Sequence, residues 1–208
     1  MEKIGFIGSG GQADEAESYL KEASVEFRAL TSEYIDQDDP SHIDLLSPDE
    51  FQKITPVVAA IGAPGIRREM IEQWSGEHFA VIKSEEAYVD KSAKIGEGSI
   101  LGPRSILTTN VEIGKHVIVN IASTIIYDTI VGNYSTISPG AHIAGNVNIG
   151  EGVFIGIGAI VSNNIRIAEG VVVGAGAVVM EDILTPNAVV VGTPARQISA
   201  NEGWLREV

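Results

Sequence analysis

The sequence predicts an α/β lobe over residues 1–88 followed by an all-β parallel helix of about five coils over residues 89–208. Three observations carry this reading. A six-residue phrase recurs without interruption from Val89 to Val179. Charge changes at the same boundary: residues 1–88 hold 18 acids and 7 bases, a net of −11, whereas residues 89–208 hold 10 acids and 7 bases, a net of −3. Texture changes there as well, from aromatics and helical spacing to short Val/Ile/Gly phrases. Repeats and composition shifts of this kind mark domain limits.

In the first part, Lys3–Ile7 reads as a short apolar strand that ends in Gly8-Ser9-Gly10-Gly11, and Ala13–Ala23 reads as a helix. A strand, a glycine-rich turn and a helix start can together receive an anion. Gly8, Gly10 and Ala13 also satisfy the loose dinucleotide fingerprint. Fewer than 90 residues are too few for a two-lobed dinucleotide domain, and Asp14, Glu15 and Glu17 would oppose a bound phosphate. Further strands are expected at Val25–Leu30, Val57–Ile61 and Phe79–Ile82, with a helix after Gly65 that bears Arg67 and Arg68. This is a truncated Rossmann-like lobe. It is expected to bind an acceptor through Gly8, Gly10, Gly11, Gln12 and Arg67, in preference to NAD; a purely structural role is the alternative.

The second part is governed by its period. In steps of six from Val89, all 16 positions to Val179 hold Val, Ile or Leu. The next residue is often glycine, as at Gly96, Gly114, Gly132, Gly150 and Gly174, and the position four after each is small or β-branched. An α-helix wants its apolar residues every 3.6 positions, which a strict six does not supply. Short extended segments joined by tight turns do fit, and three such hexads close one triangular coil. The large residue fills the prism, the small one fits a corner, and glycine supplies unusual backbone angles at the turns. Strands of a β-sandwich would not hold so unbroken a register.

Composition excludes several classes. No cysteine is present, so a disulfide framework, a zinc ribbon and a thiol nucleophile are absent, in keeping with a reducing cytoplasm. A net charge of −14 argues against nucleic acid. The apolar runs at Val153–Val161 and Val171–Met180 are about half the roughly 20 residues a membrane helix needs, so no membrane is expected. The start, Met1-Glu2-Lys3, followed by glycine-broken apolar residues, does not read as a signal peptide.

The phrase [LIV]-G-x-x-[STAV]-x and the ending Gly192-Thr193-Pro194-Ala195-Arg196 resemble the left-handed β-helix of the hexapeptide-repeat acyltransferases. With its N-terminal lobe, the chain is similar to the sialic acid O-acetyltransferases and nucleotide-aminosugar N-acetyltransferases of bacterial glycan synthesis. The resemblance implies an acetyl-CoA-dependent acetyltransferase. It would work on an amino or hydroxyl group of a sugar or nucleotide sugar, as a homotrimer with sites between subunits. It also implies that Gly145 faces the thioester carbonyl, that Ile157 and Ala175 hold the pantetheine arm, and that Pro194 and Arg196 lie near the adenosine end.

In the same comparison the family's His-Glu pair falls on Tyr127-Asp128, a second histidine falls on Thr136, and the histidine of the glycine turn is replaced by Gln12. A phenol, with an ordinary pKa near 10, is a weak general base at neutral pH, although it can donate or relay a proton. Tyr127 and Asp128 are therefore candidates for proton transfer, with His142, which directly precedes Ile143 and the Ala144-Gly145-Asn146 stretch. The remaining histidines are His42 and His78, expected on the lobe surface, and His116, one coil from Tyr134. A zinc site like that of the related carbonic anhydrases needs three histidines, and His116 with His142 lacks the third, so no metal is expected. Loss of the family's histidines leaves one rival reading, a non-catalytic trimer that binds a sugar or a protein.

Overall fold

The structure, a computed structural model, describes residues 2–207. The lobe is built on four parallel strands, β1 (Glu2–Ile7), β2 (Ala23–Leu30), β3 (His42–Asp44) and β4 (Val57–Ala59), in the order β3-β2-β1-β4. These are the first four strands, 3-2-1-4, of the order of a doubly wound dinucleotide fold. Helix α1 (Gly11–Glu17) joins β1 to β2, α2 (Glu50–Ile54) joins β3 to β4, and α3 (Pro64–Gln73) follows β4. Two local expectations are corrected. The first helix, expected to reach Ala23, stops at Glu17, where the Ser18 hydroxyl donates back to the Glu15 carbonyl at 2.6 Å and competes with continuation. Phe79 makes only a single bridge to Val57, while Ile82 belongs to the β-helix.

Short two-residue rungs follow, each paired in parallel with the rung three hexads on, as in Ile100–Leu101, Ile118–Val119, Thr136–Ile137 and Phe154–Ile155. They stack into three sheets, which form the left-handed prism. The first rung, Ile82–Lys83, lies ahead of the boundary expected at residue 88, so the helix begins within the stretch assigned to the lobe. At the far end Ala188–Val191 and Arg196–Ala200 form an antiparallel pair that closes the stack.

From Leu101 to Val179 each hexad places its large residue inside, and Leu101, Leu107, Ile125, Ile137, Ile143, Ile155 and Val173 are fully buried, whereas Val89 and Ile95 at the first end are partly buried. Each such side chain stabilises the stack by about 1.5–3 kcal/mol relative to exposure. The small corner residues from Ser99 on are buried too, and the hydroxyls of Ser99, Thr129 and Ser135 tie coils together. Thr129 Oγ1 donates to the Ala144 carbonyl at 3.0 Å and accepts from the Val147 amide at 3.2 Å. Ser135 does the same between Gly150 and Val153.

The glycines are explained differently from expectation. Positive φ falls three residues after the large residue, at Arg104, Asn110, His116, Asp128, Tyr134 and Asn146 as well as at glycines. The glycines directly after the large residue have another cause. A Cβ on Gly132 would come within 2.5 Å of the Gly150 backbone, and one on Gly156 within 2.6 Å of the Ala175 nitrogen. Close approach between coils, not backbone angle, requires them.

The lobe covers one sheet of the prism. Ile82, Ile100 and Ile118, which point outward, are buried against Ile4, Phe6 and Val58 of the lobe. On the same side the tail returns to α3: the Leu205 carbonyl accepts from the Gly65 amide at 2.9 Å, and Arg206 pairs with Glu69 at 2.6 Å. Trp204 lies under Arg68, 4.1 Å from ring centre to guanidinium, in a slot left by Gly152 and Gly170.

Candidate functional site

Each coil runs from the lobe-facing sheet over a first edge to a second sheet, whose rungs include Thr124–Ile125, His142–Ile143 and Ile160–Val161. It then turns over a second edge to the third sheet. On the first edge Gly140, Gly158 and Gly176 stand above one another with φ of 64–65°, and a Cβ on any of them would meet nothing within 4 Å. Ile157, 62% exposed, and Ala175 lie beside them. The equivalent positions on the second edge carry Asn110, Asp128, Asn146 and Asn164. From Gly140 upward the first edge is thus a strip of bare backbone beside Pro139, Ile157 and Ala175.

The glycine turn of the lobe meets the lower part of that edge. Gln12 Oε1 accepts from Asn120 Nδ2 at 3.3 Å, and Asn120 lies one coil before Ser138 on the same corner. Gly8 has φ of 109°, while Gly10 and Gly11 face open space. Pro194 and Arg196 sit at the top, exposed, where the Ala195 amide donates to the Val178 carbonyl at 2.8 Å. Turn, strip and closing segment therefore share one side of the molecule.

Tyr127 and Gly145 lie on the second edge. The Tyr127 ring lies across Gly145, where a Cβ would collide with it, and Tyr127 Oη accepts from Asn163 Nδ2 at 3.3 Å. Gly145 is buried beneath this ring, which covers the residue expected to face a thioester. Asp128 does not pair with Tyr127: its carboxylate accepts from Asn110 Nδ2 at 3.0 Å, one step in a ladder of corner side chains. His142 is exposed on the second sheet, with Nδ1 2.9 Å from Thr124 Oγ1. Within one chain Tyr127, Gly145 and Asn163 come together, Ile157 and Ala175 come together, and the width of the second sheet separates the two groups. Asn163 and Asn120 were missed; Asn163 could have been found by continuing the Tyr127-Gly145 column one coil further.

Arg67 is not placed to bind an acceptor. It is fully buried, and its guanidinium donates to the carbonyls of His116 at 2.9 Å, Gly62 at 3.1 Å, Ser135 at 3.1 Å, Ile61 and Tyr134, and to Thr136 Oγ1 at 2.9 Å. Burial pushes its pKa down to about 9, so the group stays charged at neutral pH. Thr136, where the resemblance puts a second histidine, completes this clamp by donating to the Gly62 carbonyl at 2.8 Å.

His116 is also structural. It is 3% exposed, stacks on Tyr134 at 5.2 Å and meets the edge of Phe79 at 4.6 Å. Burial lowers its pKa to about 4, with Arg67 and Lys115 acting in the same direction and Glu97 against it. The unfolded chain therefore binds a proton that the folded chain refuses between the ordinary histidine value of about 6.5 and about 4. Stability from this group is present above that interval and is lost as pH falls through it, on the order of 3 kcal/mol. His116→Phe is expected to make the decline of the melting temperature from pH 6.5 to 4 shallower, and an unchanged slope would show that His116 is not the group responsible.

The comparisons with known proteins agree with this architecture. No protein-family model matches the chain, and no curated protein does. Solved structures do. The acetyltransferase domain of PglB from Neisseria gonorrhoeae FA1090 superimposes with a TM-score of 0.81 at 28% identity, over 95% of this chain and 100% of that one. WeeI from Acinetobacter baumannii AYE gives 0.79 at 27%, over 95% and 100%. PerB from Caulobacter crescentus, solved with CoA and GDP-perosamine, gives 0.85 at 24%, over 96% and 98%, a likeness of fold. The resemblance to the hexapeptide-repeat acyltransferases is borne out along nearly the whole chain, lobe and prism alike. Among the described residues no helix is long and apolar enough to cross a membrane.

Proposed function

We propose that the protein is an acyltransferase that uses acetyl-CoA to acetylate an amino or hydroxyl group of a sugar or nucleotide sugar, in cytoplasmic steps of bacterial glycan synthesis. The observation that carries this is the bare first edge, where Gly140, Gly158 and Gly176 leave room for a thin chain to lie on backbone beside Ile157 and Ala175. The PglB acetyltransferase domain, 28% identical, has also been solved with acetyl coenzyme A, over 95% of this chain.

In the reaction an acceptor nitrogen or oxygen attacks the thioester carbonyl carbon, the carbon–sulfur bond breaks, the acceptor loses a proton and the thiolate gains one. The lobe's open glycine turn would seat the acceptor at the foot of the first edge. Tyr127 would offer a proton to the developing oxyanion or thiolate, and His142 would take one from the acceptor. Because Tyr127 and the pantetheine strip occupy different edges of one prism, a second copy must bring its second edge to the first edge of its neighbour. A homotrimer achieves this three times with one contact.

The second reading, a trimer that binds sugar or protein without catalysis, is favoured by one observation: Asp128 is bonded to Asn110 and leaves Tyr127 without a carboxylate partner. Calorimetric titration with acetyl-CoA separates the two. Binding is expected for the wild type. Gly158→Asn should fold normally, since Asn146 and Asn164 hold the same φ, and should bind at least about tenfold more weakly by obstructing the strip. No heat from the wild type would sink the acyltransferase reading.

A further inference from the structure

We propose that Asn163 is a positioning residue for acyl transfer, acting by holding Tyr127 with its phenolic proton turned away from the edge; this rests on the acyltransferase reading above. Thr109, Tyr127, Gly145 and Asn163 form one column on the second edge, each one coil from the next. Tyr127 does not stay within its own coil. Its ring crosses Gly145, and its hydroxyl reaches Asn163 two coils on. Only glycine at 145 leaves that path open, so the crossing is fixed from below by a missing side chain and from above by an amide.

The polarity of the contact matters more than its strength. A phenolic oxygen can accept and donate at once, whereas the Asn163 Nδ2 group can only donate. With Asn163 donating at 3.3 Å, the phenol's own proton has no inward partner in that bond and remains for a group outside the edge. Tyr127 is 47% exposed, so such a group has access. Because the ring buries Gly145, the hydrogen-bond donor offered outward at this point is the Tyr127 hydroxyl in place of the glycine amide. Freed from Asn163, the ring could swing about its Cα–Cβ bond, and the hydroxyl would spend less time at the reacting carbonyl. Loss of orientation of this order typically costs about 10- to 100-fold in rate.

The experiment is a double-mutant cycle in the full-length protein, with acetyl-CoA and an amino-sugar nucleotide accepted by the wild type. Asn163→Ala is expected to lower kcat by about 10- to 100-fold while KM for acetyl-CoA changes less than about twofold. Asn163→Asp, which can accept but not donate, should be at least as damaging, because it draws the phenolic proton inward. Asn163→Gln should recover part of the rate, since its longer side chain keeps the amide donor. On a Tyr127→Phe background Asn163→Ala should have no further effect, whereas a role confined to folding would lower the rate equally on both backgrounds. Wild-type kcat in Asn163→Ala, or equal losses with and without the Tyr127 hydroxyl, would overturn the proposal. If the wild type binds acetyl-CoA but transfers to no acceptor, the acyltransferase reading fails and this role for Asn163 fails with it. Full activity in Tyr127→Phe alone would overturn the role of Asn163 and leave the acyltransferase reading standing.

Discussion

Replacing Arg67 by methionine is expected to loosen the N-terminal lobe from the β-helix and to lower the melting temperature by about 10 °C. The guanidinium joins both parts of the chain, reaching Ile61 and Gly62 of the lobe and His116, Tyr134, Ser135 and Thr136 of the prism. It has no carboxylate partner in that set; carbonyl and hydroxyl oxygens alone solvate it. Methionine matches much of its length but has no donor, so several buried acceptors would lose their partner, each at about 1–3 kcal/mol. Relaxation and water entry recover part of this, and a net loss of about 3–5 kcal/mol is expected. Lysine should fall between, since three donors on a flexible stem cannot match the planar fork. Limited proteolysis gives the second measurement: faster cleavage between Lys53 and Trp74 is expected in Arg67→Met. Unchanged melting and unchanged cleavage would mean that the Ile82, Ile100 and Ile118 contacts and the tail's bonds to α3 hold the lobe without Arg67.

The prism was legible because its signal is one-dimensional. Val, Ile or Leu at every sixth residue fixes which side chains point inward, and the neighbour on the chain must then point out. What covers the outward residues is a different matter. Ile100 and Ile106 both precede a core leucine, yet Ile100 is buried and Ile106 is 37% exposed, because only the lobe-facing sheet has a partner. Nothing local to either isoleucine encodes that. Arg67 was misassigned for the same reason: an arginine after a glycine turn suggests an anion site, but its acceptors in the prism lie 49 to 69 residues away in sequence. The glycine edge was only half legible. Glycine letters were plain, but those that crowd against the next coil, such as Gly156, look the same as those that face open space, such as Gly158. The second-edge column could have been traced by stepping one coil at a time, whereas the path of the Tyr127 ring over Gly145 depends on a rotamer.

Replacing Ile143 by aspartate is expected to destabilise the prism strongly. Ile143 is fully buried, between Ile125 on one coil and Val161 on the next. The core around it consists of Val, Ile, Leu and Ala side chains, with no positive charge. The nearest class of polar group, the corner hydroxyls such as Thr129, already donates to backbone carbonyls and cannot turn to a carboxylate without breaking a bond between coils. An ionised aspartate would therefore be unpaired, and a protonated one would still leave both oxygens without donors. The expected cost is about 5 kcal/mol, or about 10–20 °C in melting temperature. Coupling along the stack makes the loss spread, because each coil is supported by the coils on either side. His142→Asp is the matched control. It lies one residue away on the same rung but faces solvent, so the same charge there should change stability by no more than about 1 kcal/mol. Equal melting temperatures for the two variants would show that the six-residue register has been assigned to the wrong face.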